Sequence, residues 1–220
     1  MISHEYKCIF IHIPRTAGTA IEKWICGDDW WNIEKETKHL LASQAKKIYR
    51  EYWDSYFKFS FVRNPWDRMV SCLNAYEDFF KLTYKGSLNF DEYKKEFGYP
   101  ITVENDYRFS KRGEILQDRH HEHCVYSNIL DEELDFIGKF ESLKKDIKII
   151  QKKLNIKKDF PFTSKEGASK RKKHYQHYYN EIGKKDVEDM FRKDILRYNY
   201  KFNNWSWLDI NIKKIFAKNK

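Results

Sequence analysis

Twice in the N-terminal third of the chain, a short run of alternating apolar residues stops at an arginine-bearing loop and gives way at once to a helical pattern. Lys7 to Ile13 (KCIFIHI) sets Ile9, Ile11 and Ile13 against Cys8, Phe10 and His12, the pattern of a strand buried on both faces. Pro14 ends it and Gly18 allows a tight turn. Ala20, Ile21, Trp24 and Ile25 then recur at helical spacing up to Gly27, a suitable residue to stop a helix. The unit recurs at Phe57 to Val62 (FKFSFV), where Arg63-Asn64-Pro65 forms the turn and Trp66, Met69, Val70 and Leu73 form the next apolar stripe. Between the two units, His39 to Tyr52 carries Leu40, Leu41, Ala45, Ile48 and Tyr49 on one side. A helix there makes the connection a right-handed crossover between parallel strands, so the predicted class is an α/β sheet.

Leu134 to Phe140 is a third predicted strand, running into a helix whose Leu143, Ile147, Ile150 and Leu154 alternate four- and three-residue spacing. A basic loop (SKRKKH, Ser169 to His174) precedes a helix predicted from about Tyr178 to Leu196, with Ile182, Val187, Met190, Phe191 and Ile195 inward. From about Lys81 to Asn128 the periodicity is poor, which predicts short helices and loops on the rim of the sheet, where substrate loops often lie. Trp205 to Lys220 reads as a basic amphipathic segment that docks on the core or makes weak contact with an anionic membrane surface. A length of 220 residues fits a single domain spanning 1–220.

Charge narrows the partners. Lys and Arg number 42 against 33 Asp and Glu, a net charge of +9, which calls for an anionic ligand without saying which. Cys8, Cys26, Cys72 and Cys124 are scattered, so reduced thiols are expected. No run approaches the roughly 18 apolar residues of a membrane span, and the opening MISHE resembles neither a signal nor a transit peptide. The expectation is a soluble cytoplasmic protein, of bacterial origin.

The loop Pro14-Arg15-Thr16-Ala17-Gly18-Thr19-Ala20 lies between a strand and a helix N-terminus, where free backbone N–H groups and the helix dipole bind phosphate. Gly18 is its only glycine and no Lys-Ser/Thr pair follows, so the nucleoside-triphosphate motif is absent and a kinase is disfavoured. Taken alone, the loop also fits an ordinary turn with a threonine cap. The second junction places Arg63 at a strand end, with Ser71 one helical turn beyond Arg68. Asp67 and Arg68 fit a surface ion pair at a helix start. Open parallel sheets bind ligands beyond the carboxyl ends of their strands, so two such ends would make one anion site with two poles. That suits a ligand carrying two separated phosphates.

These motifs resemble the sulfotransferases that use 3′-phosphoadenosine 5′-phosphosulfate (PAPS), in particular the carbohydrate-type sulfotransferase family 2. FIHIPRTAGTAIEK is similar to that family's 5′-phosphosulfate loop, and FKFSFVRNPWDRMVS to its 3′-phosphate strand, loop and helix. DFIGKFESLKKD resembles its later strand-helix junction, and SKRKKHYQHYY with KDILRYNYKF its basic cofactor-covering loop and final helix. The resemblance implies a three-layer, P-loop-NTPase-like fold with a central parallel sheet flanked by helices. It implies that Arg15, Thr16, Ala17, Gly18, Thr19 and Ala20 cradle the 5′-phosphosulfate and that Arg63 and Ser71 hold the 3′-phosphate. Lys170, Arg171, Lys172, His174 and Tyr175 would close over the nucleotide. Arg15 stands where the family usually has lysine, and Ala20 where serine or threonine is common. Because arginine is a permanent cation and a poor proton donor, Arg15 implies electrostatic stabilisation of the departing phosphate.

The implied reaction is in-line attack of an acceptor hydroxyl on sulfur, leaving adenosine 3′,5′-bisphosphate, with no metal required. Arg15 and His39 are the expected catalytic residues. Related sequences tend to place a histidine near His39, and an ordinary imidazole pKa of about 6.5 suits a base at neutral pH. His12 is the second candidate base, although a strand histidine more often orders a loop by hydrogen bonds. His120, His121, His123 and Cys124 invite a zinc reading, discounted because adjacent ligands in HHEHC cannot easily converge on one ion. A nucleic-acid partner, suggested by 15 Tyr and 7 Trp, leaves the junction arginines unexplained and is not expected. The acceptor is a carbohydrate or glycoconjugate of unspecified identity.

Overall fold

The computed structural model describes residues 1–75, 125–162, 174–179 and 181–203. Among the described residues four strands form one sheet in the order β1 (Ile2–Ser3), β2 (Cys8–Ile11), β3 (Phe57–Val62) and β4 (Phe136–Lys139). β2, β3 and β4 are parallel, with Phe10 opposite Phe59 and Phe61 opposite Gly138. β1 adds an antiparallel edge, Ile2 against Ile9, that the alternation did not foretell because it is only two residues long. The helices among the described residues are α1 (Gly18–Cys26), α2 (Trp30–Ile33), α3 (Ala42–Ile48), α4 (Arg50–Trp53), α5 (Pro65–Ala75), α6 (Tyr126–Ile129), α7 (Leu143–Lys153), α8 (Glu181–Met190) and α9 (Arg192–Tyr198).

Alternation along the strands sends neighbouring residues to opposite faces. Cys8, Phe10, Phe59 and Phe61 pack with Ile21, Trp24 and Ile25 of α1 and Leu143, Ile147 and Ile150 of α7. Ile9, Ile11 and Val62 pack with Ala42 and Ala45 of α3, Trp66, Met69 and Val70 of α5, and Val187 and Met190 of α8. The result is an α/β sheet, mostly parallel, with helices on both faces. No described helix is long and apolar enough to cross a membrane.

Three predicted elements start, end or divide elsewhere than the apolar spacing suggests. β2 ends at Ile11 rather than Ile13: the His12 carbonyl lies 3.2 Å from His39 Nδ1, and the Ile13 carbonyl accepts the Thr16 hydroxyl at 2.7 Å. The helix predicted over His39 to Tyr52 starts at Ala42, because His39 turns to β2 and Leu41 is extended, and it breaks at the buried Tyr49. The helix predicted over Tyr178 to Leu196 divides at Phe191 into α8 and α9. The break delivers Asp194 to the start of α6, where its carboxylate accepts the Tyr126 and Ser127 N–H groups at 2.6 and 2.9 Å. The His120–Cys124 cluster, the Lys170–Lys172 run and the Trp205–Lys220 segment lie outside the described residues.

Candidate functional site

The two arginine junctions meet at the carboxyl ends of β2 and β3. The Pro14–Ala20 loop is held open in an unusual backbone shape, with Arg15 at φ 68° and Ala17 at φ 74°, both non-glycine residues in the left-handed region. Such conformations cost of order 1–3 kcal/mol each and persist only where neighbours over-determine them. Here the determinants are identifiable. Arg63 Nη1 donates to the Arg15 carbonyl at 3.0 Å and Arg68 Nε to the Pro14 carbonyl at 3.0 Å, while the buried Thr16 hydroxyl closes the turn on Ile13. Ala17 then precedes α1, whose first N–H groups are presented without intrahelical partners.

Across this gap Arg15 Nε donates to Ser71 Oγ at 3.1 Å, joining the loop to α5. Arg63 is buried. Its Nε donates to Asp67 Oδ2 at 2.7 Å and its guanidinium stacks 4.1 Å from the centre of the Phe140 ring. Its Nη2 is buried with no hydrogen-bond partner among the described residues. A buried cationic N–H without an acceptor calls for an anion. Asp67 and Arg68 are thus not a surface pair: both are buried, Asp67 is bonded to Arg63, and Arg68 stacks over Tyr126 at 5.2 Å. The Tyr126 hydroxyl in turn donates to the Arg63 carbonyl at 2.5 Å, so this strand end is fastened from three directions.

His12 and His39 lie beside the loop. Their rings are 4.5 Å apart, with His12 buried and His39 half-buried. His12 Nδ1 sits 2.6 Å from Glu22 Oε1, and Glu22 Oε2 accepts from Lys38 Nζ at 2.9 Å and the Trp30 N–H at 3.3 Å. Lys38 also pairs with Asp29. Gly18 permits this packing, since a Cβ there would fall 2.0 Å from the His12 ring. Glu22 and Lys38 were not singled out from sequence, although Glu22 falls inside the apolar stripe of α1, next to Ile21.

Burial holds His12 below its ordinary value of 6.5, the Glu22 carboxylate opposing, so the ring is neutral near pH 7. Burial alone would raise Glu22, but His12 and the Lys38 ammonium outweigh it and bring the carboxyl down to about 2. Both shifts act in one direction. Below pH 6.5 the unfolded chain binds the His12 proton first, and below 4.5 it binds the Glu22 proton first, so stability rises with pH across this span. Urea midpoints are expected to fall steadily from pH 7 toward pH 2, and Glu22→Gln is expected to flatten the decline below pH 4.5.

Of the later residues, His174 caps a short 3-10 turn and Tyr175 is fully buried. The Tyr175 hydroxyl donates to the Phe202 carbonyl and accepts from Asn64 Nδ2 at 3.4 Å, tying this segment to the Arg63 junction from inside the core. Thr19 and Ala20 are half-buried in the first turn of α1. No group of three or more His, Cys, Asp or Glu side chains among the described residues could hold a metal ion.

The sulfotransferase family model matches residues 1–201, which takes in both arginine junctions, the β4–α7 junction and the Asn64–Tyr175 tie. Neither the curated proteins nor the solved structures give a match. A match over residues 1–201 of the 220, spanning the two loops that Arg15, Arg63 and Ser71 join at the ends of parallel strands, shows that the protein belongs to the sulfotransferase family and is a sulfuryl-transferring enzyme.

Proposed function

We propose that the protein moves a sulfuryl group from PAPS to a hydroxyl of a carbohydrate or glycoconjugate, on a three-layer, P-loop-NTPase-like frame. The observation that carries this is the buried Arg63 Nη2, a donor unanswered among the described residues, on a guanidinium whose Nη1 already holds the Arg15 carbonyl. A bisphosphorylated nucleotide fits that donor set. Arg63 and Ser71 would hold its 3′-phosphate, while the N–H groups at the start of α1, with Arg15, Thr16 and Thr19, would face its 5′ end. When bound, PAPS supplies the sulfuryl group and departs as adenosine 3′,5′-bisphosphate.

The chain's own part is positioning and charge. Arg15, half-buried and fixed to Ser71, places a permanent cation where negative charge grows on the leaving phosphate. His39, half-buried beside the loop, would take the proton of the acceptor hydroxyl. Lys170, Arg171 and Lys172 would add cations over the nucleotide, next to His174.

Incubation with PAPS and a panel of simple glycosides, set against phenols and aliphatic alcohols, tests the acceptor class by mass spectrometry of the products. Sulfated glycosides are expected, and sulfation confined to phenols or alcohols would contradict the carbohydrate assignment. Ser71→Ala tests the donor site. Losing one hydrogen bond to a charged group costs about 1.5–3 kcal/mol, so bisphosphate affinity is expected to fall roughly ten- to a hundred-fold, and 5′-AMP affinity to fall less, through the Arg15 that Ser71 fixes.

A further inference from the structure

We propose that Glu22 and His12 are positioning residues for the transfer base, and that they present His39 with Nε2 as its proton-accepting nitrogen. This rests on His39 being the base. The tautomer follows from the partners. His39 Nδ1 lies 3.2 Å from the His12 carbonyl oxygen, which can only accept, so Nδ1 carries the proton and the lone pair is left on Nε2.

Two ties then fix where that nitrogen sits, and both pass through Glu22. The first runs through His12. Its ring is clamped by Glu22 Oε1 at 2.6 Å, stacks on Phe10 at 5.7 Å and fills the space that Gly18 leaves open. The Thr16 hydroxyl on the Ile13 carbonyl holds the next residue, so the His12 carbonyl that orients His39 lies between two fixed points. The second tie runs through Lys38, the covalent neighbour of His39, whose ammonium is held by Glu22 Oε2 at 2.9 Å and by Asp29. Trp30 N–H also bonds Glu22 Oε2, and the Trp31 ring lies 6.0 Å from that of His39. A fully buried carboxylate that takes three donors, on the stripe where a helix buries apolar residues, is costly to keep unless the geometry it enforces is used.

Long-range proton–nitrogen NMR of the histidine rings in the full chain reads the tautomers directly and needs no acceptor. His12 and His39 are both expected to be protonated at Nδ1 in their neutral forms, and a neutral His39 protonated at Nε2 would overturn the proposal. In Glu22→Gln the amide cannot replace the carboxylate toward both His12 and Lys38, so His39 is expected to lose its single tautomer and show a mixture. A His39 tautomer unchanged in that variant would reduce Glu22 to a part of the fold and overturn its positioning role. Should Glu22→Gln not fold, Lys38→Met cuts the second tie alone, with the same expected loss and the same contrary result. Titration with adenosine 3′,5′-bisphosphate in parallel separates the two levels. No binding to the wild type would remove the donor assignment, while the tautomers would still decide the positioning claim.

Discussion

Arg63→Met is expected to lower the unfolding free energy by about 3–5 kcal/mol, the range for breaking one side of a buried ion pair, and to abolish binding of adenosine 3′,5′-bisphosphate. Arg63 and Asp67 are 3 % and 0 % exposed, so the variant leaves a carboxylate in the interior without its guanidinium. It also removes the Nη1 bond to the Arg15 carbonyl, one of the contacts that keep Arg15 in the left-handed region. Stability and binding can be separated by the double variant Arg63→Met, Asp67→Leu. Replacing both partners by apolar groups of similar volume is often neutral or stabilising, so its urea midpoint is expected to return toward wild type. Bisphosphate binding is expected to stay lost, because the orphaned Nη2 donor does not return. Recovery of binding in the double variant would show that Arg63 serves only the fold.

Gly18→Ala is expected to be nearly as damaging, although alanine is the better helix former. The added Cβ would lie 2.0 Å from His12 Cδ2 and Nε2, and neither side can yield easily. The ring is pinned by Glu22, and the start of α1 is continuous with the turn that Thr16, Arg63 and Arg68 hold in place. Overpacking of this kind costs about 1–3 kcal/mol. The larger effect falls on function, since any shift moves the first N–H groups of α1 or the carbonyl that orients His39. Bisphosphate affinity is expected to drop by more than about tenfold, a change of at least about 1.4 kcal/mol. His12→Ala in the same chain empties the contested space and is expected to restore nucleotide binding without restoring transfer. Wild-type affinity in Gly18→Ala alone would mean that the loop adjusts freely.

How far these features could be read from sequence depended on whether their causes were local. β3 and α7 run over the predicted residues because FKFSFV and the 143, 147, 150 spacing meet faces that bury the same positions. The meeting of Arg15, Arg63 and Ser71 was implied by topology, since both junctions end parallel strands. The breaks at Tyr49 and Phe191 were not legible, because the apolar spacing continues through both. The break at Phe191 precedes Asp194, whose carboxylate takes N–H groups 67 and 68 residues away. Asp67 was read with its neighbour Arg68, whereas its partner is Arg63, four residues back at the strand end that precedes α5. Glu22 escaped notice because a lone glutamate on a helix usually faces water, and its partners His12 and Lys38 are 10 and 16 residues away.

Calorimetric titration of the wild type with adenosine 3′,5′-bisphosphate, ATP and 5′-AMP, with and without Mg²⁺, tests the donor site most directly. The expected result is binding of the bisphosphate that is independent of Mg²⁺, much tighter than that of ATP or 5′-AMP, and lost in Arg63→Met. Equal affinity for ATP and the bisphosphate would contradict the assignment of Arg63 and Ser71 to a 3′-phosphate, and with it the PAPS site.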